Sequence, residues 1–148
     1  MTLDFRRMSE DDLDRVMTIE QAIYPYPWTR GNFADSLRGN QSCWTAWNPA
    51  NEMIGYCIMM PVVDEAHLLN ISIAKSSQGK GLGRELLDFA IDTSRAHGAS
   101  IMLLEVRESN LVAQTLYHSV GFNNSGVRKN YYPVHGGREH AVLMELPL

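Results

Sequence analysis

Apolar and polar positions alternate in two rhythms along the chain, and each change of rhythm marks an element. Residues 3–7 read as a short first strand, after which Ser9 is placed to cap a helix with Asp11 and Asp12 in its first turn. Leu13, Val16, Met17 and residues 20–23 continue at helical spacing until Tyr24-Pro25-Tyr26-Pro27-Trp28, whose two prolines force the chain out of the helix. Thr29 caps a second helix over 30–38, stopped by Gly39-Asn40. Three segments rich in β-branched and aromatic residues then predict strands at 43–47, 53–62 and 66–73, separated by Asn48-Pro49 and Val63-Asp64-Glu65. Leu82, Leu86, Leu87, Ala90 and Ile91 form the apolar stripe of a strong helix that His97-Gly98 ends.

The nearly continuous apolar run 101–106 reads as a central strand buried on both faces. A helix over 111–120 follows, closed by Gly121, and the chain ends in strands at 123–132 and 138–146 joined by a loop containing Gly136-Gly137. The order β-α-α-β-β-β-α-β-α-β-β predicts an α/β (α+β) fold, a mixed sheet flanked by helices. No linker, charge block or repeat divides the chain, so one domain is expected across residues 1–148.

Composition narrows the classes. A chain of 148 residues with 45% apolar and 20% charged content can bury a core without disulfides or a structural metal, and it excludes disorder, collagen-like repeats and coiled coil. Lys plus Arg number 13 against 17 Asp plus Glu, for a formal charge of −4. That balance lacks the basic footprint of a nucleic-acid backbone binder and suits a basic or amine-bearing substrate. The apolar stretch 55–63 is broken by Pro61 and falls short of the ~20 residues a membrane span needs. The amino terminus carries no apolar signal region, so a cytoplasmic location is expected, with Cys43 and Cys57 as buried free thiols. The five histidines show no zinc-binding spacing, and no metal site is expected.

The glycine-rich turn Gln78-Gly79-Lys80-Gly81-Leu82-Gly83-Arg84 lies between a strand and a helix, where backbone N–H groups and a helix dipole converge on phosphate. A dinucleotide fingerprint counted from Gly79 would place its third glycine on Arg84, and no Gly-x-x-x-x-Gly-Lys-Ser/Thr string exists. Gln78, Gly81 and Gly83 do match Gln/Arg-x-x-Gly-x-Gly/Ala, and in this the chain resembles the GNAT family of acetyl-CoA-dependent N-acetyltransferases.

The resemblance extends over nearly the whole chain, through Asn70-Ile71, Leu104-Glu105-Val106-Arg107, Ser109-Asn110, Leu116-Tyr117, Gly121-Phe122, Arg128 to Pro133 and Gly137-Arg138-Glu139. It narrows to the branch that acetylates the N-terminal alanine of a small-subunit ribosomal protein, and it implies that activity and that partner. Ala74-Lys75-Ser76-Ser77 departs from the usual Asp-Pro-aromatic string, Gly79 stands where Arg is common, and His140 where Asp is usual. The first two remove a cation from the coenzyme side, which Lys75 partly restores; the third bears on substrate recognition.

Acetyl transfer to an amine needs a neutral nucleophile, a polarised thioester carbonyl and a protonated leaving thiolate. With pKa values of ~7.7–8.0 against ~10.4, an α-amine offers a few hundred-fold more neutral nucleophile near pH 7 than lysine. Glu105 is the only carboxylate in its apolar strand, where burial would raise its pKa toward that of a useful base. An ion pair with Arg107, on the same strand face, is its structural alternative.

Tyr117 reads from its position alone as a buried aromatic whose hydroxyl finds a partner; the resemblance implies that it protonates the leaving thiolate. Asn110 is placed to cap the helix after it, and the resemblance adds a bond to the coenzyme. The resemblance likewise assigns the pyrophosphate to Gln78, Gly79, Lys80, Gly81, Leu82, Gly83 and Arg84, and the pantetheine arm to the backbone of Ile71, Ser72 and Ile73. A backbone N–H there would serve as an oxyanion donor.

Tyr26 and Trp28, with Tyr131 and Tyr132, are candidate walls for the amine substrate, ordinary loop packing being the alternative for each. Asp64, Glu65 and Glu139 either attract a basic peptide or are simply solvated. Acetylation of lysine or a small amine, and a non-catalytic acetyl-CoA-binding domain, are the competing functions. The pairing of Glu105 with Tyr117 disfavours a mere binder, which needs neither.

Overall fold

The computed structural model describes residues 2–148. Its strands are β1 (Asp4–Arg7), β2 (Ser42–Trp47), β3 (Met53–Val62), β4 (Glu65–Ile73), β5 (Ile101–Arg107), β6 (Asn123–Val134) and β7 (Gly137–Pro147). The helices are α1 (Leu13–Ile23), α2 (Arg30–Arg38), α3 (Leu82–Ala96) and α4 (Leu111–Ser119). The order is the expected one, with short 3₁₀ turns added at Glu10–Asp12 and Lys75–Ser77. One seven-stranded sheet runs β1-β2-β3-β4-β5-β7-β6, mixed because β4 and β5 alone pair in parallel.

Local chemistry sets the helix starts. The Ser9 N–H donates to Asp12 Oδ2 at 2.8 Å, and Thr29 and Asn32 cap α2 reciprocally at 3.1 and 2.9 Å. The helices then divide between the faces of the sheet. Leu86, Leu87 and Ala90 of α3 pack with Met102, Leu104, Met144 and the Tyr117 of α4 on one side. Val16 and Ile19 of α1 pack with Phe33 of α2 on Tyr56 and Ile58 on the other. Cys43 and Cys57 are free and buried, and burial pushes the Cys43 thiol up to about 11.

Two departures position the site. Strand β5 is not buried on both faces: Met102, Leu104 and Val106 are covered, whereas Glu105 is exposed. The reason is that β4 and β5 stay paired only as far as Leu68 and Leu104. Beyond that point β4 keeps its bonds to β3, and β5 its bonds to β7, so the two strands part and leave a cleft.

The second departure is a β-bulge. Ile58 faces Asn70 and Met59 faces Leu68, which leaves Leu69 as the extra residue. The slip reverses the parity of β4, because side chains alternate with period 2. Leu68 therefore packs with α3, while Asn70 bonds to α1 on the opposite face. The β6–β7 turn is also tighter than expected, since Gly137 already belongs to β7.

Candidate active site

The glycine turn follows the end of β4 and leads into α3. Gln78 Nε2 donates to the carbonyl of Ile73 at 2.9 Å, tying the turn to the end of β4. Gly79 and Gly81 take φ of +77° and +78°, a region that side chains disfavour, and open space surrounds the place where each Cβ would stand. Gly81 is the N-cap of α3 and has no side chain to cap it, so the first N–H groups of this 15-residue helix are left without a side-chain cap. Leu82 contributes backbone alone, because its side chain is buried in the core. Lys80 and Arg84 are exposed beside the turn. These features fit a pyrophosphate: donors and cations converge where no Cβ intervenes.

Along the end of β4, where the pantetheine arm is expected, the side chains point to separate tasks. Ile73 is buried, and the carbonyl of Ile71 lies 3.3 Å from the Tyr24 hydroxyl, which stands closer, at 2.7 Å, to Ser72 Oγ. Ser72 turns its hydroxyl toward Asn70, at 2.8 Å, so any contact of Ser72 with a pantetheine arm is through its backbone. Asn110 caps α4, accepting from the Ala113 N–H at 3.2 Å. The substituted stretch before the glutamine forms the 3₁₀ turn, with Lys75 exposed.

Across the cleft lies a cavity of about 410 Å³ whose lining includes Trp28, Leu69, Glu105, Arg128, Tyr131 and Tyr132. The bulge, the candidate base and three of the four expected substrate walls thus meet in one place. The fourth, Tyr26, stands beside them: the Arg107 guanidinium lies 5.3 Å from its ring and 4.5 Å from that of Tyr132.

The expected reason for Glu105 as base is corrected by this geometry. Its side chain is 32% exposed and lies 3.6 Å from the Arg128 guanidinium, so it is not enclosed in an apolar strand. Arg107 is not its partner either, pairing instead with Glu139 at 3.3 Å. Glu105 instead acts on its neighbours: burial first, then its negative charge, pushes the Tyr132 hydroxyl up to about 12. His140, the third departure, accepts the Asn130 N–H at 2.9 Å and so braces the irregular stretch of β6 that carries the tyrosines.

Tyr117 is buried on α4, and burial, with smaller contributions from Tyr24 and Tyr132, holds its hydroxyl well above the ordinary value. A phenol so placed keeps its proton and can donate to an anion. Glu20 and the Leu69 bulge are features of this region that sequence reasoning missed, and it gave Tyr24 and Asn70 no bonding role. Glu20 lay within a helical pattern, and the pairing that creates the bulge is a tertiary property. Among the described residues no group of His, Cys, Asp and Glu is arranged to hold a metal, and no helix is long and apolar enough to cross a membrane.

A parted parallel strand pair, a glycine turn opening a helix without a side-chain cap, and a carboxylate at the adjoining cavity characterise this mixed-sheet fold. The chain belongs to the acetyltransferase (GNAT) family, whose profile it matches over residues 13–122.

Among its relatives, the ribosomal protein bS18-alanine N-acetyltransferase of Haemophilus ducreyi is 39% identical over 140 residues, 94% of this chain and 96% of that one. The enzyme of the same name from Escherichia coli is 40% identical over 137 residues, 93% and 92% of the respective chains. A crystal structure of the ribosomal-protein-S18-alanine N-acetyltransferase from Escherichia coli superposes with a TM-score of 0.91 at 36% identity, covering 99% of this chain and 94% of that one. The ribosomal-protein-alanine N-acetyltransferase of Brucella melitensis shares the fold, with a TM-score of 0.83 at 20% identity and coverage of 98% and 99%.

Proposed function

We propose that this protein transfers acetyl from acetyl-CoA to the N-terminal alanine of a small-subunit ribosomal protein, by direct attack of the α-amine on the thioester, in the cytoplasm. The observation that carries the reading is the cleft between β4 and β5, with the glycine turn on one side and Glu105 in a peptide-sized cavity on the other. Likeness to two bS18-alanine N-acetyltransferases over more than nine-tenths of each chain supports the choice of acceptor.

In this reading the N–H groups of Gly81, Leu82 and Gly83 and the charges of Lys80 and Arg84 hold the pyrophosphate. The strand after the bulge lays out the pantetheine arm and offers a backbone N–H to the carbonyl oxygen. The peptide enters between Trp28 and the Tyr131–Tyr132 pair. Glu105, directly or through water, takes a proton from an amine that is already partly neutral at pH 7. The nitrogen adds to the thioester carbon, the C–S bond breaks, and Tyr117 donates toward the departing thiolate. Neither cysteine is placed as an acetyl carrier, since both are buried with unreactive thiols.

Two basic peptides test this, one with a free N-terminal alanine and one blocked at its amino terminus but containing lysine. Mass spectrometry after incubation with acetyl-CoA is expected to show acetylation of the first only. Modification of the blocked peptide alone refutes the proposal, and coenzyme binding without transfer marks a binding domain.

A further inference from the structure

Glu20, on α1, is 2% exposed, and a buried carboxylate needs a structural reason because desolvation makes it costly. Its Oε2 accepts the backbone N–H of Trp28 at 2.9 Å. Its Oε1 accepts the Tyr56 hydroxyl at 2.7 Å and Asn70 Nδ2 at 3.2 Å. Donors therefore reach it from the α1–α2 loop, from β3 and from the bulged part of β4.

The bonds beyond Asn70 continue in one direction. Asn70 Oδ1 accepts the Ser72 hydroxyl at 2.8 Å, which leaves Ser72 Oγ to accept the Tyr24 hydroxyl at 2.7 Å. From Tyr24 to Glu20 each group donates toward the carboxylate, and such chains strengthen one another in a low-dielectric interior. Only a group that accepts at both oxygens can end this chain and also hold the Trp28 N–H. Tyr24 and Trp28 are the two ends of the loop that carries Tyr26, and Trp28 lines the acceptor cavity. Asn70 follows the bulged Leu69, which lines the same cavity.

We infer that Glu20 is a positioning residue for the acceptor: it fixes the Trp28 wall of the peptide cavity at a set distance from the bulged strand that presents the thioester. The inference rests on the acetyltransferase reading above and assigns to one buried side chain the register between the two substrates.

Glu20→Gln tests it, because the amide keeps the shape but turns one acceptor into a donor facing either Trp28 or Asn70. Loss of one charge-assisted bond is worth on the order of a tenfold change. Steady-state kinetics with the alanine peptide are expected to show acceptor KM rising by about that factor, with acetyl-CoA KM unchanged. Tyr56→Phe, which removes a donor on the far side from Trp28, should leave acceptor KM near its original value. An unchanged acceptor KM in Glu20→Gln, or an equal rise for both substrates, overturns the inference.

Amide exchange in the unmodified protein gives a second reading if the variant does not fold. The Trp28 N–H should exchange far more slowly than that of Tyr26, and equal rates overturn the inference. No transfer by the unmodified protein sinks the acetyltransferase reading and this inference together, whereas transfer with normal kinetics in Glu20→Gln sinks this inference alone.

Discussion

Glu105 and Tyr117 come from different elements and stand in opposite environments. Glu105 is partly solvated beside Arg128, which suits a group that exchanges protons with water while its substrate comes and goes. Tyr117 is buried and keeps its proton. A thiol near pKa 8.5 leaves as an anion that a phenol can stabilise by hydrogen bonding without complete transfer. Glu105→Gln and Tyr117→Phe are each expected to lower kcat by roughly 10²–10⁴, the range for lost acid–base catalysis. The pH profile separates the roles. Because the Tyr117 pKa lies above the ordinary value of 10, kcat/KM for the alanine peptide should rise through the titration of the amine and show no alkaline fall below about pH 9.5. A tyrosine-dependent limb at lower pH, absent in Tyr117→Phe, would exclude Tyr117 as a permanently protonated donor.

At the level of elements, the turn between β4 and α3 is the proposed coenzyme site, and its shape depends on backbone conformation. Valine at position 81 would have to hold φ near +78°, a cost of about 1–2 kcal/mol, and its side chain would project into the space expected for phosphate. Gly81→Val should therefore weaken acetyl-CoA binding at least about tenfold in titration calorimetry while leaving the circular dichroism spectrum native. An unaltered affinity would remove the turn from the binding site. This turn was legible in the sequence because its spacing, and not its partners, defines it. The same is true of the α3 stripe and the Thr29 cap. The parting of β4 from β5 and the Leu69 bulge were not legible, since both arise from pairing with β3 and β7 and leave no periodic trace. That is also why the apolar run of β5 suggested burial on two faces: nothing in it reveals that helices cover one face and a cleft opens on the other.

Across the whole molecule, charge and hydrogen bonds hold together the side of the cleft that carries Tyr26 and Tyr132. Arg107 links distant parts of the chain: its Nη1 donates to the Pro133 carbonyl at 2.8 Å and to Glu139 at 3.3 Å, and its guanidinium lies near the Tyr26 and Tyr132 rings. Glu139 also accepts the Ser109 N–H at 3.0 Å, binding the β6–β7 hairpin to the start of α4. Hydrogen bonds from Ser109, and then those of the Arg107 guanidinium, hold the Glu139 carboxyl below its usual value. A carboxyl lowered on folding stabilises the protein above its unfolded pKa of about 4.3, and that contribution fades as pH falls through the folded value. Glu139→Gln should therefore melt below the unmodified protein at pH 7, and the two melting temperatures should converge below about pH 4. A gap that stays constant across this range would show that the ionised carboxylate does not hold the hairpin. The acidic balance of the chain, −4 overall, then has a local meaning. Glu139 is already engaged by Arg107 and Ser109, and Glu105 by Arg128 at 3.6 Å, so a basic peptide at the cavity has to compete with these pairs for either carboxylate.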